Sequence, residues 1–296
     1  MFSKSSWLHL RIPFSYFLLP VFLFSLSVSP NISEQPLLWT FLIIHLLLYP
    51  ASNGFNSYFD KDEKSIGGLK NPPPVNKGLY YLALLFDVAA IVLAIWKVST
   101  DFAMMLVVYS AVSRAYSHPW IRLKKYAITS WFIAGLFQGA FTFIMCYMGV
   151  NKYEFMQAMK PTILIPAFLS SALLWGSYPM TQIYQHEEDA KRGDQTLSLR
   201  LGIKGTFWFV MVLFSLSSLA YVLYFNQYFS WHYAQGFLLA MSPVVLFFMF
   251  WFYQVSKDER KADYKRTMWL NFISATCLNV FFVYLFLSSS HILDAL

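Results

Sequence analysis

The sequence predicts an all-α, polytopic membrane protein with nine transmembrane helices, and three observations carry that reading. First, of 296 residues 57% are hydrophobic and 20% aromatic, while only 12% are charged. A soluble domain carries about 25% charged residues. Second, the chain contains a series of uncharged stretches of the roughly 20 residues that a helix needs to cross a hydrocarbon core. Third, its Lys and Arg residues collect in every second loop. These features exclude a disordered chain, a coiled coil and an ordinary water-soluble enzyme, because a surface this apolar needs a lipid bilayer as its solvent. The formal charge of +7 would raise nucleic acid on a soluble domain. Here it belongs to the loops, so no nucleic-acid partner is expected. Cys146 and Cys277 lie in apolar runs and form neither a disulfide framework nor a metal-ligand spacing.

The segments follow in order. Residues 12–33, 35–59, 126–151, 161–186 and 267–293 are free of charge. Residue 12–33 is too long an apolar stretch for a signal-peptide core and reads as the first span. Two weaker spans are 79–96, interrupted by Asp87, and 102–121, interrupted by Arg114. Residues 205–256 are uncharged throughout, with Asn226–Gln227 and Ser230–His232 marking a polar turn, so they form two helices. The total is nine. With nine spans, one side collects Lys4, Arg11 and the cations of 60–78, 114–125, 186–204 and 256–266. Only Lys97, Lys152 and Lys160 remain for the other side. The positive-inside rule places the rich side in the cytoplasm, giving a multi-pass protein of the cell inner membrane with a cytoplasmic N-terminus. No soluble domain, linker or repeat interrupts residues 1–296, which read as a single domain.

Three polar clusters fall on the cation-rich side. In SNGFNSYFDKDEKSIGGLKNPPP, at the end of the second helix, Asn53, Asn56 and Asp60 share one helical face. Oxygen ligands one turn apart suit Mg²⁺, which keeps coordination positions for a phosphate partner. Lys61, Lys64 and Lys70 follow as cations for a diphosphate. In TQIYQHEEDAKRGDQTLSLRLG, at the end of the sixth helix, Gln182, Gln185 and Asp189 repeat the helical spacing, followed by Lys191, Arg192 and Arg200. Two such sites facing one another across a bundle can hold one polyanion through metal ions. The third cluster, SRAYSHPWIRLKKYAITSW, carries Arg114 inside a span, where a cation is costly and marks a functional candidate, then Arg122, Lys124 and Lys125. The run SKDERKADYKR reads as a solvated loop. Asp87 is the one clearly mid-span carboxylate and has no obvious partner in the sequence.

On these residues the chain resembles the UbiA superfamily of intramembrane prenyltransferases over essentially its whole length, from LRIPFSYFLLP onward. That family has nine helices and aspartate-rich motifs at the ends of the second and sixth. Against the first motif, N-D-x-x-D-x-x-x-D, the segment NSYFDKDEK keeps Asn56 and Asp60. Ser57 replaces the adjacent Asp, and Lys64 stands at the last acidic position, with Asp62 and Glu63 nearby. Against the second, E-x-D-x-x-x-G-x-x-[ST]-L, Glu187, Asp189, Gly193, Thr196 and Leu197 match, while Gln182 and Gln185 stand where an earlier acid is usual. Tyr116, Ser117, Pro119, Arg122, Leu123 and Lys124 resemble the Y-S-x-P-x-x-[RK]-L-K of members that prenylate chlorophyllides, homogentisate or glyceryl ethers.

The resemblance implies a nine-helix bundle and transfer of a prenyl group from an allylic polyprenyl diphosphate to an electron-rich aromatic or lipid acceptor. It implies catalytic Asp60, Asp189 and Asn56, and Mg²⁺ held by Asn56, Asp60, Asp189 and Glu187. The diphosphate falls to Lys61, Lys64, Arg114, Tyr116, Arg122, Lys124 and Arg192. Lysine has no acceptor for a metal, so Lys64 is expected to neutralise phosphate in place of part of a second ion. The alternatives are a catalytically silent lipid-binding or assembly protein of the same fold and, further off, a transporter, which would need paired polar groups or broken helices near the midplane.

Overall fold

A computed structural model of the chain describes residues 3–290. Among the described residues nine long helical passes succeed one another: α1 (Lys4–Ser27), α2 (Glu34–Asp60), α3 (Lys77–Lys97), α4 (Thr100–Ser117), α5 (Ala127–Asn151), α6 (Pro161–Thr181), α7 (Leu197–Tyr228), α8 (Trp231–Lys257) and α9 (Tyr264–Ser289). Eight of these are long and apolar enough to cross a membrane. The exception is α4, the shortest, which carries Asp101 and Arg114. No strand occurs among the described residues; the nearest feature is the isolated bridge Ile66–Leu69.

Several ends are set by side-chain chemistry. Ser99 opens α4, its hydroxyl accepting from the Phe102 N–H at 3.1 Å. Thr196 opens α7 in the same way through the Leu199 N–H at 3.3 Å. The turn between α7 and α8 falls at Phe229–Ser230, inside the polar interval of the sequence. The first helix starts earlier than its uncharged stretch: Lys4–His9 form an opening turn, the backbone breaks at Arg11 (φ 47), and Pro13 restarts the helix.

Consecutive passes pack antiparallel, and α9 packs back on α1, closing the bundle. One buried cluster joins α1 to α5–α9 around Phe24, which stacks on Phe282 with ring centroids 4.6 Å apart. A second joins α1–α5 around Ile43, Ile44, Met145 and Met148. The outer faces are apolar, with Leu85, Val88, Val92 and Ile95 on α3, and Leu239, Leu246 and Phe250 on α8. Such stripes are stable against lipid and not against water. Lys97 lies 3.5 Å from the centroid of Trp96, an arrangement that anchors a helix end at a membrane interface. The protein is a multi-pass integral membrane protein.

The two charges that interrupt the weaker spans explain each other. The turn at Val98–Ser99 sets Asp87 and Ser110 at equal distances along the chain on either side. Asp87 accepts from Ser110 Oγ at 2.9 Å and Arg114 Nη2 at 2.6 Å. The partner that a reading along one helix does not show for Asp87 thus comes from its neighbour in the hairpin.

Candidate functional site

The cation-rich ends of α2, α4 and α6 converge on a cavity of about 230 Å³. Each contributes through a local break. Helix α2 stops at Lys61, which adopts the left-handed conformation (φ 51) while its N–H bonds Ser57 O at 3.0 Å. The following segment folds back over the cavity. Arg11 holds it there, donating to Gly67 O at 3.1 Å and to Asn53 O at 3.3 Å; His9 Nε2 contacts Pro73 O at 2.7 Å. After α6, the short helix His186–Arg192 ends at Gly193 (φ 72), a left-handed cap that glycine adopts without penalty. That cap returns Asp194 toward Asp189, whose carbonyl accepts the Asp194 N–H at 2.9 Å. After α4, a tight turn closed by Arg122 N–H to His118 O at 2.8 Å puts Arg122 at φ 45 and turns Lys124 inward, where it is buried.

Four carboxylates and three cations interleave inside. Lys124 pairs with Asp60 and lies 3.8 Å from Asp194. Arg192 pairs with Asp62, with Asp189 at 2.7 Å and with Asp194 at 3.2 Å, so one guanidinium joins the first and second acidic clusters. Arg122 grips Asp194 in a bidentate pair at 2.8 and 3.0 Å. These cations hold the Asp194 carboxyl below its ordinary value despite burial. Burial has the opposite result at Asp189. Together with the negative charge of Asp194 it pushes that carboxyl up to about 7, against the pull of Lys124.

The structure brings Asn56, Asp60, Asp189, Tyr116, Lys124 and Arg192 to the cavity wall. Tyr116 Oη shares a hydrogen bond with Tyr178 Oη at 2.8 Å. Arg122 stands behind the wall, on Asp194. Four of the expected residues are elsewhere. Arg114 is held by Asp87, its guanidinium 5.7 Å from the Phe55 ring. Lys64 and Glu187 pair with each other on the exposed rim, where Glu187 also meets Lys191 at 3.1 Å. Lys61 is exposed past the helix cap. The acidic place assigned to the fourth residue after Asp60 is met by Asp62, because the cap at Lys61 ends the helical register and points the second residue inward. Arg11, Asp194 and Tyr178 also line the cavity and have no place among the sequence-expected site residues.

The oxygen donors available are Asn56, Asp60, Asp62, Gln182, Gln185, Asp189 and Asp194. Asn56 donates its Nδ2 to Ser117 Oγ at 2.9 Å, which leaves Oδ1 as a free acceptor. Among the described residues no three His, Cys, Asp or Glu stand close enough to enclose an ion by themselves. A hard, all-oxygen set offering one or two protein ligands per ion fits Mg²⁺ shared with phosphate oxygens.

The charged cavity continues into a second one of about 280 Å³ between α1 and α6–α9. The two share Ser52, Asn53, Tyr109, Gln138, Tyr178 and further residues. Beyond the junction the walls are apolar: Phe24, Leu173, Val210, Phe214, Met241 and Phe248 are among them. A site with an ionic head chamber and a hydrocarbon tail chamber suits a lipid diphosphate.

Known proteins agree with this architecture. The chain superposes on a solved structure of a UbiA homologue from Archaeoglobus fulgidus bound to GPP and Mg²⁺ with TM-score 0.66 at 14% identity, covering 96% of this chain and 99% of the other. The same homologue bound to DMAPP and Mg²⁺ gives 0.64 at 15%, with 96% and 99% covered. A solved digeranylgeranylglyceryl phosphate synthase gives 0.60 at 19%, with 96% and 98% covered. No curated protein matches the sequence. The sequence profile of the UbiA prenyltransferase family matches residues 17–273, and the chain belongs to that family.

Proposed function

We propose that this protein transfers a prenyl group from an allylic polyprenyl diphosphate to an electron-rich acceptor and releases diphosphate. The single observation that carries the reading is the junction of the charged cavity with the apolar one, lined by Ser52, Asn53, Tyr109, Gln138 and Tyr178. The allylic carbon of a bound substrate belongs there, with its diphosphate among the aspartates and its tail between α1 and α6–α9.

Lys124, Arg192 and Arg11 do the binding. The first two are neutralised by carboxylates. Arg11 donates to the backbone carbonyls of Gly67 and Asn53, so no carboxylate has to be displaced from it. As a diphosphate arrives, Lys124 and Arg192 exchange carboxylate for phosphate oxygens, which frees Asp60, Asp62 and Asp189 as ligands. Magnesium, when bound, supplies Lewis-acid neutralisation of the leaving diphosphate. Positioned cations stabilise the charge that develops as the allylic C–O bond breaks. Tyr109 lines the junction, where an aromatic ring beside the allylic carbon would favour a developing cation. The bilayer delivers both lipophilic substrates. The protein forms one domain, with its cation-rich end and N-terminus on the cytoplasmic side of the inner membrane.

Purified protein in lipid nanodiscs should release diphosphate from geranylgeranyl diphosphate when Mg²⁺ and a membrane-lipid extract are supplied, and EDTA should stop it. No release with any allylic diphosphate would instead identify a silent lipid-binding member of the family. A pH dependence follows from Asp189. A carboxyl titrating near 7 is protonated at pH 6, where it cannot ligate a metal, and ionised at pH 8. Affinity for magnesium diphosphate should therefore rise about tenfold between these values. Calorimetric titration at both pH values checks this, and a flat profile removes Asp189 from the ligand set.

A further inference from the structure

Resting on the prenyl-transfer reading, we propose that the acceptor occupies an apolar lobe of the charged cavity, between α4 and α5, and that Gln138 seats it there through a hydroxyl group. The lobe is separate from the tail chamber. Tyr109, Val112, Ile133, Ala134 and Phe137 line it on the charged cavity. Of these only Tyr109 also reaches the tail chamber, whose walls come from α1 and α6–α9. A prenyl diphosphate with its head among the aspartates and its tail between α1 and α6–α9 therefore leaves the α4–α5 face uncovered. That face carries no charge and offers the Phe137 ring beside aliphatic side chains, which suits a compact apolar body.

The polar groups free to orient such a body stand where the lobe meets the junction. Most of the polar side chains that the two cavities share are committed within the protein. Ser52 bonds Ser113 Oγ at 2.5 Å, Tyr178 bonds Tyr116 at 2.8 Å, Thr181 donates to Tyr178 O at 2.7 Å, and Asn53 donates to Leu10 O at 3.5 Å. The Gln138 amide and the Tyr109 hydroxyl make no hydrogen bond to protein among the described residues, and neither is sealed from the cavity. Polar groups inside a protein are nearly always paired, so an accessible amide left free at this place is available to a ligand. Gln138 offers a carbonyl acceptor for an O–H and N–H donors for an adjacent oxygen. The backbone is built to present it. Helix α5 widens to a π-turn over Phe137–Phe141, and such turns concentrate at functional sites. Ser171 of α6 holds the turn, its Oγ accepting from Ala140 N at 2.8 Å and donating to Gly135 O at 2.9 Å. At Gly139 a Cβ would lie 2.5 Å from Ser171 Cα, so only glycine permits that approach. The hydroxyl-bearing end of the acceptor is thereby set beside the allylic carbon at the junction.

The test uses the full chain in nanodiscs, loaded with Mg²⁺ and an unreactive geranylgeranyl thiolodiphosphate so that the tail chamber is filled. Two probes differ by one O–H donor, 2-naphthol and 2-methoxynaphthalene. Their binding is read by equilibrium dialysis, corrected with empty nanodiscs. Wild type should bind 2-naphthol about three- to tenfold more tightly than the ether. Gln138→Leu should remove that preference while keeping the wild-type affinity for the thiolodiphosphate and the wild-type melting temperature, because the amide has no partner in the protein to lose. Val112→Phe, which fills the lobe, should exclude both probes and leave the thiolodiphosphate bound. Equal binding or no binding of the two probes by wild type, a preference that survives in Gln138→Leu, or wild-type naphthol binding by Val112→Phe overturns the proposal. A thiolodiphosphate that does not bind at all overturns the prenyl-transfer reading and this proposal with it, so the two failures are told apart.

Discussion

Asp60→Asn and Asp189→Asn should each lower the rate of diphosphate release by about 100-fold or more while leaving the bundle folded. The amide keeps the volume and one oxygen but loses the charge that an ion bridged to phosphate requires. The network explains why folding survives. Without the Asp60 charge, Lys124 still lies 3.8 Å from Asp194. Without the Asp189 charge, Arg192 keeps Asp62 and Asp194. Neither variant strands a buried cation. At Asp189 the sign is favourable. A carboxyl pushed up to about 7 by burial contributes most to stability below its ordinary value, and that contribution is lost as pH rises through 7. Asp189→Asn should therefore be at least as stable as wild type at pH 8. Rates of release together with melting curves at pH 6 and 8 check both halves. Wild-type turnover in the two variants would remove these residues from the chemistry.

What the sequence discloses, and what it hides, follows from the range of the interactions involved. The passes are legible because each depends on its own run of apolar residues, and the polar interval near Ser230 marks the α7–α8 turn directly. Asn56 and Asp60 are legible because the helical period sets them on one face of α2, whereas α6 ends at Thr181, a turn at 182–185 breaks the expected spacing of Gln182, Gln185 and Asp189, and Asp189 reaches the cavity from the separate short helix His186–Arg192. Placement is hardest to read where helices end. The family resemblance puts Lys64 at the motif's last acidic position, whereas the structure sets it on the exposed rim with Glu187, and past the left-handed cap at Lys61 it is Asp62 that lines the cavity. Arg114 was expected on diphosphate because it is an intramembrane cation, and the cost that made it conspicuous is met by Asp87 across a hairpin. Asp194 is buried by the turn at Gly193, a signal present in the sequence as a glycine directly after a helix rich in Glu and Asp. The role of Arg11 in clamping the loop at Gly67 is a contact between distant segments, and no local pattern encodes it.

Lys124 carries the largest predicted loss of stability. Its side chain is 8% exposed and that of its partner Asp60 is 5% exposed. Removing one member of a buried pair leaves an uncompensated charge, which costs about 3–5 kcal/mol. Lys124→Met, which keeps the length and apolar stem of the side chain, should therefore lower the melting temperature sharply at pH 8 and abolish diphosphate binding. The double variant Asp60→Asn with Lys124→Met removes both charges, so most of the lost stability should return, although activity should not. Because Asp60→Asn alone removes activity, diphosphate binding is the readout that separates the two roles: a purely structural Lys124 would leave the double variant binding diphosphate as well as Asp60→Asn does, whereas loss of a binding cation would not. Lys64→Ala is the natural control. Lys64 also pairs with a carboxylate, but its side chain and that of Glu187 are 55% and 62% exposed, where water and salt screen the pair and little stability depends on it. Its melting curve should match wild type, and so should its Mg²⁺ dependence if Asp62 serves as the inward ligand. A shallower Mg²⁺ dependence in wild type than in Lys64→Asp would instead place the lysine charge on the phosphate, requiring the exposed loop to close over the cavity during the reaction.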